Sequence, residues 1–446
     1  MSHDGPAFAL RVRQNPFLAL GGTAMHAVIE IRAEEVRAAD AAGRPVVPSA
    51  AEVIMIDTSS SMSGPKVVAA ARAAAAAVDV LRDGAAFAVI AGESSARMIY
   101  PGQAALATAS AQTRRAAKAA LAEVTANGGT SMSTWLRLAD RLFAGSDARI
   151  KHALMLTDGQ NVEGDAPLEA ALADCAGHFS CDSRGVGDDW QPDQLKLISA
   201  ALHGAWKPIA KPEELEADFR EVTAASMRKR VADVALRIRK PPASKLVHIH
   251  RVFPDIEDLM PHVAPSSDGR ALDIPLGAWA PGEERAYHVR FSVSQQELGI
   301  EDEGLASAGF VQVLARRPDG ETAATPRVSV QTVWTRNNAN ALIIHPVVAQ
   351  YTGQQELAAE VRTAIEAYGR HEPDAEAKMG VVVARAYALQ RQDILEQIAQ
   401  IVSIKDLERG VVEIKPTPVA PSDFFKLDRL STQTVWSKDE VEGGDR

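Results

Sequence analysis

The sequence predicts a doubly wound α/β domain, an antiparallel β-sandwich and a C-terminal helical region. Between residues 50 and 225, short apolar runs alternate with helix patterns, as expected of parallel strands joined by helices. The run at 53–57 is continuously apolar, which is typical of a strand buried on both faces. After about residue 228 strand patterns follow one another, and helix patterns return from 346 to 404.

These patterns divide the 446 residues into N-terminal strands, the Rossmann-like α/β domain, the sandwich, the helical region and an acidic tail, at 1–48, 49–227, 228–340, 341–414 and 415–446. The stretch at 24–33 alternates between apolar and polar residues, as half-buried antiparallel strands do. We therefore expect the N-terminal strands to pair within the sandwich. The tail is expected to be disordered.

The α/β domain is predicted from elements that alternate along the chain. Strands are expected at 53–57, 87–92, 96–100, 152–158, 179–187 and 205–210. Helices are expected at 65–81, 109–124, 131–143, 192–202 and 212–227. Pro65 suits the first turn of its helix, where the N–H it lacks would have no partner.

The second half is predicted from two other patterns. Strands separated by turn-rich loops are expected at 231–239, 245–253, 286–293, 308–316 and 327–334. Farther along, Leu357, Val361, Ile365 and Tyr368 fall on one helical face, and a second helical run covers about 374–403.

Composition excludes several classes of protein. The formal net charge of −10 argues against nucleic-acid binding, which needs a basic face. Cys175 and Cys181 are too few for a disulfide-stapled module and are interpreted as buried free thiols. The longest apolar run, 67–81, contains Arg72 and Asp79 and is too polar and short for a bilayer. Without a recognisable leader, a soluble cytoplasmic protein without a membrane partner is expected.

The motif DTSSS at 57–61 directly follows the buried strand at 53–57. Open α/β sheets bind ligands at the carboxyl ends of their strands. Alternate residues of an extended loop point the same way, so Asp57, Ser59 and Ser61 present three oxygens to one point. Each residue alone also has a structural interpretation, because Asp57 and Ser59 could cap the following helix.

Two further oxygen donors stand at matching places. Thr130 follows an Asn-Gly-Gly turn, and Asp158 ends the buried strand at 152–157, before Gly159. Asp158 and Gly159 alone could form a turn, but the joint placement favours a site. Five oxygens without histidine or cysteine suit a hard cation, with Mg²⁺ the best fit, Mn²⁺ a near substitute and Ca²⁺ less apt.

The order of these motifs resembles the von Willebrand factor A family and its metal-ion-dependent adhesion site, over about residues 50–225. That site consists of DxSxS, then a threonine, then an aspartate. The resemblance implies that Ser59, Ser61 and Thr130 touch the metal by their hydroxyls. It implies that Asp57 and Asp158 act directly or through water.

The function implied is metal-dependent binding of another protein, and no enzymatic activity is expected. Neutral hydroxyls leave the ion with positive charge, so a partner's Asp or Glu can complete its shell. Intracellular bacterial members of the family suggest an AAA-type ATPase or a component of a stress, signalling or defence complex as partner. The alanine- and arginine-rich composition is typical of a bacterial protein.

Two alternative functions remain open at this point: a hydrolase that uses the same site, and a scaffold whose metal site is vestigial. A second aspartate at 59, which aspartate-nucleophile phosphatases need, is replaced by Ser59. No phosphate-binding GxxxxGK[ST] occurs. The stretch GESSA at 92–96 departs from the serine-hydrolase motif at Ala96. His152 and His178 are isolated and favour structural roles.

Overall fold

The computed structural model describes residues 8–34, 48–188, 190–267, 269–316, 321–416 and 419–434. These residues form two compact units. The α/β unit contains residues 48–232 and 277–280, and the β-rich unit contains the other described residues. Along the chain, the α/β unit therefore interrupts the β-rich unit.

The chain begins with three strands of the β-rich unit: β1 (Phe8–Arg13), β2 (Phe17–Ala19) and β3 (Ala24–Ala33). β1 pairs antiparallel with β3. In β3, Ala27, Ile29 and Ile31 are buried while Arg32 is exposed, which explains the alternating sequence pattern.

The α/β unit contains one sheet and helices that connect its strands. The strands are β4 (Ala50–Asp57), β5 (Ala86–Gly92), β6 (Arg97–Tyr100), β7 (Ala107–Thr108), β8 (Ile150–Thr157), β9 (Ser180–Val186) and β10 (Trp206–Ile209). The helices are α1 (Pro65–Asp79), α2 (Ala111–Ala122), α3 (Met132–Ala144), α4 (Asp165–Cys175), α5 (Pro192–Ala201) and α6 (Leu215–Arg228).

The sheet runs in the order β10-β9-β8-β4-β5-β6, and β7 also pairs with β5. The first five strands are parallel, and β6 and β7 run antiparallel to β5. Every residue of β4 is buried, including Glu52 and Asp57, and the apolar residues at 53–56 predict this burial on both faces of the sheet. The predicted doubly wound α/β sheet is confirmed.

The strand order places a ligand-binding crevice beside β4. The chain adds β5 and β6 on one side of β4 and then β8, β9 and β10 on its other side. The direction in which strands are added therefore reverses at β4. In such sheets the carboxyl ends of the strands that flank the reversal form a crevice. Asp57 is the last residue of β4, and Asp158 directly follows β8. Both predicted carboxylates therefore lie at this edge.

The β-rich unit continues with β11 (Val231–Arg239), β12 (Ser244–Phe253), β13 (Glu257–Asp258), β14 (Ala264–Pro265), β15 (Leu272–Trp279), β16 (Glu284–Val293), β17 (Gly304–Arg316), β18 (Thr322–Ala324) and β19 (Val328–Thr335). One sheet has the order β1-β3-β16-β12-β13, and the other β14-β15-β11-β17-β19-β2 with β18 beside β17. β3 pairs antiparallel with β16, so the stretch at 24–33 belongs to the first sheet. The domain boundaries at 48, 227 and 340 stay predictions.

The last elements are α7 (Asn338–Leu342), α8 (Pro346–Gly369), α9 (Ala375–Ala388), α10 (Gln392–Ile398), β20 (Val402–Asp406), β21 (Val411–Ile414) and α11 (Pro421–Thr432). The helical run expected at 374–403 is interrupted, because Gln390 has a φ of 55° and separates α9 from α10. A β20–β21 hairpin, which the sequence analysis missed, lies inside the predicted helical region.

The expectation of a disordered segment at 415–446 is wrong for α11. Leu427 is fully buried in a cluster that also contains Leu357 and Ile394. Burying such a side chain stabilises a short amphipathic helix. The charged residues around it make this helix hard to recognise in the sequence. Residues 435–446 lie outside the described residues.

Among the described helices, none combines the length and apolarity that crossing a membrane requires.

Candidate metal centre

The loop after β4 brings the motif residues to the sheet edge. Asp57 ends the strand, and a short 3₁₀ turn at Ser60–Met62 follows. Met62 is fully buried and anchors the turn in the core. Gly64 then adopts a φ of 80°, which favours glycine, and α1 begins at Pro65. The loop is therefore fixed at both ends.

Backbone hydrogen bonds hold the loop that carries Thr130 against the DTSSS loop. The N–H of Ser60 donates to the carbonyl of Gly128 at 2.9 Å, and the N–H of Asn127 donates to the carbonyl of Thr58 at 2.6 Å. The N–H of Gly129 also donates to Oγ of Ser94 at 2.8 Å. Ser94 is the first of the two serines in GESSA, and it occupies the position of the nucleophile in the serine-hydrolase motif. In this structure it makes a supporting contact with the loop that carries Thr130.

The hydroxyls of the motif form a chain that ends on a carboxylate. Oγ of Ser59 lies 2.9 Å from Oγ of Ser61. Oγ of Ser61 donates to Oδ1 of Asp158 at 2.7 Å. Gly159 lies close to these hydroxyls, because a Cβ on it would be 3.3 Å from Oγ1 of Thr130 and 3.5 Å from Oγ of Ser61. The glycine thus lets these hydroxyls converge.

Asp57 is held by hydrogen bonds to both of its oxygens. Oδ1 accepts from the N–H of Ser59 at 2.8 Å, and Oδ2 accepts from Oγ1 of Thr157 at 2.5 Å. Burial raises the pKa of Asp57 to about 6, although these hydrogen bonds act in the opposite direction. Thr157 was not among the predicted site residues, and its only signal in the sequence is a hydroxyl directly before Asp158.

Lys66 is a second residue that the sequence analysis missed. Its Nζ lies 2.6 Å from Oδ2 of Asp158, whose side chain is fully buried. Lys66 is in the first turn of α1, directly behind the DTSSS loop. Its ammonium therefore partly neutralises the site.

The donor set fits a hard divalent cation. The structure brings together all five predicted residues, through hydroxyl and carboxylate oxygens: Asp57, Ser59, Ser61, Thr130 and Asp158. Two carboxylates that are buried provide negative charge, and one ammonium balances only part of it. Oxygen ligands of this kind suit Mg²⁺ and Mn²⁺ better than softer ions.

The histidines considered for catalysis lie elsewhere. His152 is buried within the sheet, where Nδ1 is 2.7 Å from Oε1 of Glu52 and Nε2 is 3.2 Å from Oδ2 of Asp182. His178 pairs with Asp140 at 2.8 Å and is more than half exposed. Cys175 and Cys181 are both buried free thiols, as predicted.

Comparison with known proteins now identifies the family. The family model of the von Willebrand factor type A domain matches residues 51–207. A solved structure of a von Willebrand factor type A protein from Catenulispora acidiphila is 36% identical to this chain. The structural alignment covers 98% of this chain and 99% of the Catenulispora acidiphila chain, with a TM-score of 0.88. The chain belongs to the von Willebrand factor type A family.

Two other relatives are more distant. The ArnB paralog VWA2 from Sulfolobus acidocaldarius covers 96% of this chain and 99% of its own with a TM-score of 0.55, and at 13% identity it shows the fold alone. An uncharacterized protein of Synechocystis sp. is 26% identical over 250 residues, which is 54% of this chain. The match spans 57% of that relative's length. Domains of this family typically mediate protein–protein interaction and often bind a divalent metal.

Proposed function

We propose that the chain is a protein-binding module in which a divalent cation, Mg²⁺ or Mn²⁺, mediates contact with the partner. The observation that carries the proposal is the hydrogen-bonded chain from Ser59 through Ser61 to Asp158. Asp57 and Thr130 border the same point. Ser59, Ser61 and Thr130 would hold the ion by their hydroxyls, and the two aspartates would hold it directly or through water.

The chemistry of the donors also suggests what the partner presents. The three hydroxyls carry no charge, and Lys66 offsets part of the charge of Asp158, so the site's own residues balance only part of the ion's charge. A carboxylate from another protein would complete the ion's shell and balance its charge. We therefore propose a partner that offers an Asp or Glu side chain. An AAA-type ATPase or a component of a signalling or defence complex is the proposed class, in the cytoplasm.

Metal binding is tested by calorimetric titration of the full chain with MgCl₂ and MnCl₂. We expect one ion per chain, and we expect Thr130→Val to weaken binding by about tenfold or more, because a ligand is lost without a change of side-chain volume. Thr223→Val is the matched control, since this threonine is buried in α6 and its Oγ1 has no partner among the described residues. Equal affinities of both variants and wild type contradict the proposed ligand set.

Partner binding is tested by affinity capture with and without EDTA, comparing wild type with Asp57→Ala. We expect an enriched protein that EDTA and Asp57→Ala both release. A partner that stays bound in EDTA and also binds the Asp57→Ala variant contacts a surface other than the metal site. Metal binding accompanied by turnover of ester or phosphate substrates would favour a hydrolase, and a protein that binds no metal would be a scaffold.

A further inference from the structure

Three histidines of the β-rich unit meet on one face of its five-stranded sheet. His26 is on β3, His288 on β16 and His248 on β12, which are adjacent strands. One ligand nitrogen from each ring lies within 4.8 Å of the others. The rings of His26 and His288 are stacked with centroids 5.2 Å apart, and the His248 ring meets His288 edge-on at 4.8 Å.

The hydrogen bonds of His288 fix which nitrogen carries its proton. Nδ1 of His288 lies 2.9 Å from Oε1 of Gln355 on α8. Because a carbonyl oxygen only accepts, Nδ1 carries the hydrogen and donates it. Nε2 of His288 then carries a lone pair, which accepts a hydrogen bond from Nδ1 of His26 at 3.0 Å. A metal ion bound between these two nitrogens would replace that hydrogen. Proteins commonly orient a metal-binding histidine through a hydrogen bond from the ring nitrogen that does not bind the metal.

His248 has a polar atom that the fold does not satisfy. Its Nε2 is buried and has no hydrogen-bond partner among the described residues. Leaving such an atom unpaired in the interior is costly, so it calls for a ligand or another explanation. Nδ1 of His250, two residues along the same strand, is also buried without a hydrogen-bond partner among the described residues.

The surroundings of the rings favour neutral imidazoles. Burial lowers the pKa of His248 to about 3 and that of His288 to about 4, although the hydrogen bond to Gln355 acts in the opposite direction on His288. Neighbouring histidines and Arg290 also lower both pKa values. Burial and Arg290 also lower the pKa of His26. Neutral imidazoles near neutral pH keep the lone pairs that a metal ion requires.

We propose that His26, His248 and His288 form a binding site for a divalent transition-metal ion of the Zn²⁺ class, separate from the oxygen site of the α/β unit. Three imidazoles without a carboxylate select Zn²⁺-like ions over Mg²⁺ or Ca²⁺. At a Zn–N distance of about 2.0 Å, tetrahedral ligand atoms lie about 3.3 Å apart. The nitrogens of His26 and His288 are 3.0 Å apart, and a ligand nitrogen of His248 lies within 4.8 Å of theirs, so the three rings would have to rotate to meet one ion.

One of the three histidines faces a cavity. His26 lines a cavity of about 530 Å³ bordered by Phe17, Val348 and Thr352. A tetrahedral ion with three protein ligands keeps one open position for a water or a small anion. The exposed Arg290, two residues from His288, opposes a cation at the site. Its removal by Arg290→Gln should therefore raise the affinity several-fold.

The test is titration of the full chain with Co²⁺, which reports its own coordination, followed by competition with Zn²⁺. Tetrahedral Co²⁺ bound by nitrogen absorbs visible light strongly, whereas octahedral Co²⁺ bound by oxygen absorbs weakly. Zn²⁺-class ions outcompete Mg²⁺ at most sites, so Co²⁺ can also enter the oxygen site. The strength of its absorption still distinguishes the two metal sites in one sample. We expect about one equivalent of strongly absorbing Co²⁺, displaced by Zn²⁺.

Variants assign the ligands. His26→Gln, His248→Gln and His288→Gln should each abolish the strong bands and weaken Zn²⁺ binding by about 100-fold or more, and Gln355→Ala should weaken it by about tenfold. His371→Asn is the control, because it removes an exposed histidine of the same unit whose φ of 55° asparagine tolerates. Thermal unfolding without metal checks that each variant is folded.

The proposal is overturned if wild type lacks the strong bands, or if the bands survive in the histidine variants. Should the variants fail to fold, X-ray absorption of the Zn²⁺-loaded wild type decides instead. Three imidazole nitrogens support the site, and oxygen-only coordination contradicts it.

Discussion

Nζ of Lys66 lies 2.6 Å from Oδ2 of Asp158, a carboxylate whose side chain has no exposed surface. The lysine side chain is 32% exposed, so solvent screens the pair only in part. The ammonium therefore stabilises the buried carboxylate, and it also repels any cation that Asp158 helps to bind. Stability and metal affinity are opposed at this residue.

We predict that Lys66→Met raises Mg²⁺ affinity by about tenfold and lowers the free energy of unfolding without metal by about 1–2 kcal/mol. Calorimetry and denaturant unfolding measure the two effects. Lys118→Met is the matched control, because Lys118 forms an ion pair of similar length with Asp79 on a more exposed surface of the same unit. A variant that loses both metal affinity and stability would show that Lys66 only supports the loop.

Gly92 ends β5 at a point where no larger residue fits. A Cβ on Gly92 would lie 2.4 Å from the ring of the fully buried Trp135. The carbonyl of Gly92 accepts from the N–H of Thr58 at 2.7 Å, so displacement of β5 would disturb the DTSSS loop. The glycine links core packing to the site.

We predict that Gly92→Ala lowers the free energy of unfolding by about 1–3 kcal/mol through overpacking and weakens metal binding severalfold. Thermal unfolding and metal titration test this. Gly145→Ala is the control, because its nearest new contact would be at 3.6 Å, an ordinary van der Waals distance. Trp135→Phe should partly rescue Gly92→Ala, and a lack of any coupling between these two changes would contradict the clash.

His152 forms a buried ionic bridge across three strands, between Glu52 on β4 and Asp182 on β9. Burial alone would lower its pKa, but the two carboxylates outweigh burial and raise the pKa to about 9. In the unfolded chain the pKa is about 6.5. The bridge therefore contributes its full stability below about pH 6.5 and loses it as the pH rises through about 9.

We predict that His152→Gln destabilises the α/β unit most at pH 6, by about 3 kcal/mol, and that the difference from wild type shrinks steadily toward pH 9 and above. Unfolding midpoints measured across this range give the difference. An NMR titration of the His152 imidazole reads its pKa directly. A difference that is constant with pH would mean that the imidazole is neutral in the fold.

Part of this molecule was predictable from the sequence because local patterns encode it. The apolar run in β4 predicted a buried parallel strand. The carboxyl ends of parallel strands lie at one edge of a sheet, and this rule predicted that Asp57 and Asp158 lie there together. The contact between α1 and the end of β8 was not predictable. Lys66, in the first turn of α1, pairs with Asp158 across 92 positions, and the pairing depends on how the helix packs beside that strand.

The histidine cluster shows the same limit for strands. His26 and His288 are 262 positions apart, and each stands alone in an alternating strand. Only the register of β3 against β16 brings them together, and hydrophobic alternation does not specify which strands are neighbours. A short helix such as α11 is missed for a related reason, because its buried face has few apolar residues and only tertiary packing stabilises it.

The helix α11 is attached to the β-rich unit through Arg391, which has only 4% of its side chain exposed. Its guanidinium donates to the carbonyl of Leu430 at 2.7 Å and to that of Gln433 at 3.0 Å, so it caps the end of the helix. Asp393 holds the guanidinium in place at 2.7 Å. Leu427 contributes the apolar part of the attachment.

We predict that Arg391→Met releases α11, because the methionine leaves the helix carbonyls without donors while retaining much of the apolar stem. Amide hydrogen exchange at 421–432 should then accelerate by about tenfold or more, as expected for the loss of over 1.4 kcal/mol of local stability. Arg370→Met is the control, since Arg370 is 70% exposed and forms only long ion pairs. If exchange in α11 is as slow in Arg391→Met as in this control, Leu427 and its apolar neighbours hold the helix without the arginine.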